Sequence, residues 1–172
     1  MPRRRVRAED VELDEVEQDG DEYVEDDFSQ EVSEKLVVKY PGNLGHINLE
    51  QVGFVRKRCK RKTKGKIVYA NCRAVKQPVR MFARCAWIIT TMGENFTSLS
   101  LPVKQRVVYH ELLHIAREEG GVNDHDVQDF SFCVNEWGVN WGNDNEAELL
   151  VPMEDETPAP IDEGGDGFIR ED

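Results

Sequence analysis

Apolar positions along this chain change their period several times, and each change marks an element. In FSQEVSEKLVVKY (Phe28–Tyr40), Val32, Leu36 and Val37 fall on one helical face, with Ser29 as a candidate N-cap. PGNLGH then interrupts the helix. Gln51–Cys59 and Gly65–Val75 read as two strands joined by a basic turn, and the β-branched run in Arg84–Met92 reads as a third. A helical period returns in LPVKQRVVYHELLHIAREEGG, where Pro102 suits the first turn and Gly120–Gly121 suit the stop. In DVQDFSFCVNEWGVNW, Val127, Phe130, Val134, Trp137 and Trp141 recur at spacings of 3, 4, 3 and 4, one apolar face of a last helix. Strands and helices are segregated, which predicts an α+β class. The expected domain is a small three-stranded, or slightly larger, sheet packed on an N-terminal, a central and a C-terminal helix.

Charge sharpens the boundaries. The 172 residues carry a net charge of -12, but residues 9–27 hold twelve acids and no base, and residues 144–172 hold eleven acids against one Arg. Residues 28–143 hold eleven acids and seventeen bases, a net of +6. Such acidic segments bury too little apolar surface to offset the entropy of ordering, so residues 1–27 and 144–172 are expected to be disordered tails around a domain of 28–143. No run of eighteen apolar residues predicts a membrane span, and no apolar stretch follows the N-terminal arginines, so a cytoplasmic protein is expected. The four cysteines (Cys59, Cys72, Cys85, Cys133) form no CxxC pair and are expected to be free thiols.

Three of the four histidines fall within sixteen residues, in VVYHELLHIAREEGGVNDHDVQDF. His110, Glu111 and His114 form H-E-x-x-H. On a helix, imidazoles four residues apart share a face and can hold one tetrahedral Zn²⁺. Glu111, turned about 100° from His110, stands beside such a metal as general base for a zinc-activated water. His125, beyond the Gly120–Gly121 break, is the candidate third ligand, with Glu118, Glu119, Asp124, Asp126 and Asp129 as rivals. Asn123 or Asp124 can cap the following helix and put His125 in its first turn. Asp129, one turn further on, then serves as an acceptor orienting a ligand imidazole. The pattern points to a zinc hydrolase with one Zn²⁺ per chain, acting on protein or peptide substrates or on a non-peptide amide.

RKRCKRKTKGK (Arg56–Lys66) holds eight bases in eleven residues. Lys60, Arg61, Lys62 and Lys64 can contact nucleic acid phosphates, which makes a metal-stabilised nucleic-acid-binding module the alternative; the same loop also fits a solvated hairpin tip. His46 stands alone after a glycine and reads as structural. Cys133 falls on the apolar face of the last helix and reads as a buried small side chain.

HELLHI followed by HDVQDF, with CRAVKQPVR and WIITT upstream, resembles the phage-type metallopeptidases, small zincins of prokaryotes and their viruses. The resemblance runs from about Glu34 to Trp141. It implies a minimal zincin-like fold, peptide-bond hydrolysis, and His110, Glu111, His114 and His125 as the zinc residues. It also implies a sheet strand that pairs with substrate near the cleft, for which AWIITT is a candidate although it reads equally as a plain core strand, and an oxyanion donor, for which Tyr109, Lys76, Arg80 and Tyr40 all stand as candidates. The chain is distantly similar to SprT-like proteases but lacks their cysteine-rich zinc ribbon.

Overall fold

A computed structural model describes residues 22–58, 62–63, 66–118, 120–126, 129–144 and 146–153. The strands are β1 (Tyr23–Glu25), β2 (Val52–Lys57), β3 (Lys62–Thr63), β4 (Lys66–Ile67), β5 (Ala70–Ala74) and β6 (Trp87–Met92). The helices are α1 (Asp27–Lys39), α2 (Pro41–Leu44), α3 (Gly93–Thr97), α4 (Leu101–Leu113) and α5 (Ser131–Trp137). The class is α+β. The main sheet has four strands in the order β1-β2-β6-β5, with β2 and β6 parallel and both outer pairs antiparallel, while β3 and β4 form a separate two-stranded hairpin.

Register explains how one face of the sheet meets the helices. Val52, Trp87 and Ala74 lie in one row across β2, β6 and β5, and Phe54, Ile89 and Cys72 lie in the next. Since side chains alternate along a strand, these rows point the same way. They join Val32 and Leu36 of α1 and Val107, Val108 and Leu112 of α4 in the core. Burying each such aliphatic side chain contributes about 1.5–3 kcal/mol.

Both expected tail boundaries are corrected. Residues 22–27 belong to the fold: β1 adds a strand beside β2, and Asp26, 2 % exposed, caps α1 in place of Ser29. Its carboxylate accepts from the Ser29 hydroxyl at 2.9 Å, from Arg56 Nη2 at 2.6 Å and from the Thr91 hydroxyl. The Asp26 charge is therefore consumed by partners from β2 and β6.

At the other end, Leu150 and Val151 are buried against the core. The fully buried Gln105 of α4 holds them like an extra strand partner. Its Nε2 donates to Val151 O at 2.8 Å, and its Oε1 accepts from the N–H groups of Leu150 (2.7 Å) and Val151 (3.0 Å). Arg106 Nη1 donates to Asp144 at 2.9 Å, and this contact, with the Glu146 backbone N–H, holds Asp144 below the ordinary carboxylate pKa.

Two helices are shorter than their patterns suggest. The apolar face of 126–141 is split: α5 covers Ser131–Trp137, Gly138 at φ +80 ends it, and Trp141 lies in a separate 3-10 turn. Likewise α4 stops at Leu113, about two turns before the glycine pair. Among the described residues, no helix is long and apolar enough to cross a membrane.

Candidate active site

H-E-x-x-H occupies the last turn of α4, with His114 itself as the C-cap. The chain leaves the helix there because it finds other partners. Ile115 forms an antiparallel bridge with Val122, and Gly120, at φ +75, makes the reversal between them. The returning segment places Asn123 against the helix end. Its backbone N–H donates to His114 O at 2.7 Å, and its side-chain Nδ2 donates to Leu113 O at 2.9 Å, which satisfies carbonyls the helix leaves open. Asn123 thus closes the preceding helix instead of starting the next, and His125 lies in the loop before α5, not in a first helical turn.

This reversal brings the three histidines together. Their ligand atoms lie within 4.8 Å of one another, and His125 Nε2 is 3.1 Å from His110 Nε2. Two nitrogens bound to one tetrahedral zinc are about 3.3 Å apart, given Zn–N bonds of about 2.0–2.1 Å. The other ring nitrogen of His114 is already engaged. His114 Nδ1 is 2.7 Å from the Asn123 carbonyl, so it carries the proton and leaves Nε2 as a lone pair. Burial lowers the pKa values of His114 and His125, with nearby His110 adding to both, which favours the neutral ligand form.

Asp129 serves His110 and not His125. Its Oδ1 lies 2.9 Å from His110 Nδ1, close but too oblique for a straight hydrogen bond. Its Oδ2 accepts from the Trp141 indole at 2.7 Å. Burial acts to raise the Asp129 pKa, but His110 and Trp141 outweigh it and hold the carboxyl well below the usual range. Of the rival ligands, Asp126 accepts from Ser131 N at 2.6 Å at the start of α5, and Glu119 lies outside the described residues. Donor atoms of His110, Asp129 and Cys133 also converge. Burial pushes the Cys133 thiol up to about 12, however, which makes it a poor ligand beside three imidazoles.

Glu111 is 6 % exposed and faces the sheet. Burial raises its pKa to about 7, opposed in part by His110 and by the Cys72 backbone N–H, which donates toward the carboxylate. Its Oε2 is buried with no hydrogen-bond partner among the described residues. A buried acceptor left open beside three converging lone pairs is what a metal with a bound water would complete. The donor set therefore fits zinc.

The strand next to the site is β5, not β6. β6 is flanked on both sides, by β2 and β5, whereas no described strand pairs with the outer edge of β5. Tyr69 O accepts from Met92 N of β6 and Val75 N donates to Ala86 O just before it, so the alternate residues Ala70, Cys72 and Ala74 turn their backbone groups outward. A cleft of about 590 Å³ runs along this edge, between Cys72, Arg73, Ala74 and Lys76 on one side and Gly120 and Val122 on the other.

Other expectations sort differently. Tyr109 is fully buried, accepts from Asn43 Nδ2 at 2.8 Å and stacks on Phe132, so it is a core residue and no oxyanion donor. Tyr40 packs edge-on against it, 5.0 Å away. Lys76 reaches the cleft, and Arg80 lies in a 3-10 turn, Val79–Met81. His46 Nε2, 2.9 Å from Ile115 O, anchors the segment after α4. Cys72, Cys85 and Cys133 are free thiols. Lys60, Arg61 and Lys64 lie outside the described residues, and Lys62 opens the short strand β3. Sequence reasoning missed Asn123 as a ligand orienter, Trp141 as the anchor of Asp129, and the Cys72 N–H. Asn123 and Trp141 were read by local pattern, and a backbone N–H leaves no pattern at all.

No curated protein and no solved structure matches this chain. The family model described as Putative phage metallopeptidase matches residues 21–150, which takes in β1, the histidine cluster and Leu150 of the C-terminal arm. By that match, the chain belongs to the Putative phage metallopeptidase family.

Proposed function

We propose that this chain is a zinc-dependent peptidase that hydrolyses peptide bonds in protein or peptide substrates. The observation that carries the reading is the convergence of His110, His114 and His125 beside the buried Glu111 at an open strand edge. The three histidines would hold one Zn²⁺ per chain. Zinc held there supplies the Lewis acid that polarises a carbonyl and activates water. Glu111 is the general base: it takes the proton from the attacking water and returns it to the leaving amine. A carboxyl whose pKa lies near neutrality suits both transfers. Asp129 and the Asn123 carbonyl keep His110 and His114 in the Nδ1-protonated form and orient their rings.

The open edge of β5 accepts an extended peptide by strand addition, so main-chain hydrogen bonds set its direction past Glu111. That edge also favours a peptide over a small non-peptide amide, which has no main chain to pair with it. The family match lends no support to the nucleic-acid reading of Lys60, Arg61, Lys62 and Lys64.

The test is elemental analysis of the full chain, together with peptide cleavage by its metal-free and zinc-loaded forms. One zinc per chain and zinc-restored cleavage are expected. Metal content unchanged in the His110→Ala, His114→Ala double variant, or a zinc-loaded chain that cleaves no unstructured peptide, would overturn the proposal.

A further inference from the structure

The cleft beside β5 is charged on one wall. Along β5, of sequence ANCRA, Arg73 is the one ionisable cation, and Lys76 follows just past the strand end. Both line the cleft, both are exposed, and neither has an ion-pair partner among the described residues. Two cations of β2 and its end differ in this. Arg56 is paired with Asp26 at 2.6 Å, and Arg58 with Glu22 at 3.2 Å.

Register says what Arg73 can reach. The side chains of Ala70, Cys72 and Ala74 pack against the core, so Arg73 projects from the opposite face of the sheet. A strand added to an edge places each of its residues opposite one residue of that edge, with both side chains on the same face. The residue of an added peptide that lies opposite Arg73 therefore has its side chain beside the guanidinium. Lys76, at the end of the same cleft, lies further along the path of that peptide.

We propose that Arg73 and Lys76 make this site selective for peptide segments with acidic side chains next to the scissile bond. The inference rests on the peptidase reading for its cleavage arm, but the charge selection concerns binding and can be measured without turnover. Arg73 forms the cross-strand ion pair with one Asp or Glu, and Lys76 attracts a second. Exposed cross-strand pairs are individually weak, so the two together give a preference of about fivefold to tenfold for Glu over Lys at the matching position. The preference shrinks in ~1 M salt, where the Debye length falls to about 3 Å.

The experiment uses the full, zinc-loaded chain and a series of fluorogenic peptides that differ only by Glu or Lys at each position around one cleavage site. Faster cleavage of the Glu peptide at one or two positions is expected. The Arg73→Glu, Lys76→Glu double variant should reverse the order, and Arg73→Lys should preserve it. Equal rates for Glu and Lys peptides, or an unchanged order in the double variant, overturn the proposal while leaving the peptidase reading intact. In parallel, binding of the same labelled peptides to the Glu111→Gln chain is followed by fluorescence anisotropy. If no peptide is cleaved by any form, the peptidase reading falls, and the anisotropy still decides whether the cleft selects acidic chains.

Discussion

The Asp129 carboxylate stands 2.9 Å behind His110, with the imidazole between it and the other two histidines. The Trp141 indole holds that carboxylate from the far side at 2.7 Å. The line Trp141–Asp129–His110 fixes the orientation of a ring whose Nε2 faces His125. Asp129→Asn should weaken zinc binding by about 10–100-fold, the usual cost of losing such an outer partner. Competition with a calibrated chelator measures this, and circular dichroism should show an unchanged fold. Affinity within about twofold of the native chain would remove Asp129 from the site.

Glu111→Gln should retain zinc and lose cleavage. Gln keeps the shape and can still accept from the Cys72 N–H, but it cannot take a proton. A positioned general base contributes about 10²–10⁴-fold, so a rate within about tenfold of native, in single-turnover assays, would show that another group is the base.

His125→Ala and His46→Ala should separate cleanly. His125 is exposed and makes its close contact with His110, so its loss should lower zinc affinity with little change in melting temperature. His46 bonds Ile115 O inside the fold, so its loss should cost about 0.5–1.5 kcal/mol of stability and leave zinc content intact. Matching zinc titrations for the two variants would point to a carboxylate as the third ligand.

A chain cut to residues 28–143 should fold poorly, and one cut to 22–153 should fold like the whole. The shorter chain loses the Asp26 cap with its Arg56 and Thr91 contacts, and it loses the buried Leu150 and Val151. Two buried aliphatic side chains and one cap amount to roughly 4–8 kcal/mol, comparable with the whole stability of a small domain. Urea unfolding of the two chains checks this; equal midpoints would show both arms to be dispensable.

Gln105→Leu tests the C-terminal arm from the other side. It keeps the volume but removes three hydrogen bonds and leaves the N–H groups of Leu150 and Val151 and the Val151 carbonyl unpartnered. Leaving such groups unpaired costs about 1–3 kcal/mol each, so a clear drop in melting temperature is expected, with protease cleavage appearing first near residue 150.

Much of this protein could be read from its sequence because the determinants are local. The four-residue spacing of His110 and His114 puts both rings on one helical face wherever that helix goes. Three of the four main-sheet strands, the end of α1 and the beginning of α4 follow from short-range periodicity. The glycine pair announced a reversal and pointed to His125. What only the tertiary structure decided are pairings between distant segments. Asp26 looked like one more charge in an acidic tail until Arg56 and Thr91 met it from other strands. Leu150 and Val151 sat in a polar context and became core residues because Gln105 offered a strand-like edge of hydrogen-bonding groups. Helical spacing put Asp129 one turn from His125 without saying which imidazole it orients; α5 begins only at Ser131, and the carboxylate lies beside His110. AWIITT reads as a strand from its own residues, yet whether a strand is central or open depends on its neighbours. β6 lies between β2 and β5, and the free edge beside Glu111 belongs to β5. Periodicity reports which face of an element is apolar; which element it meets there depends on the path of the whole chain.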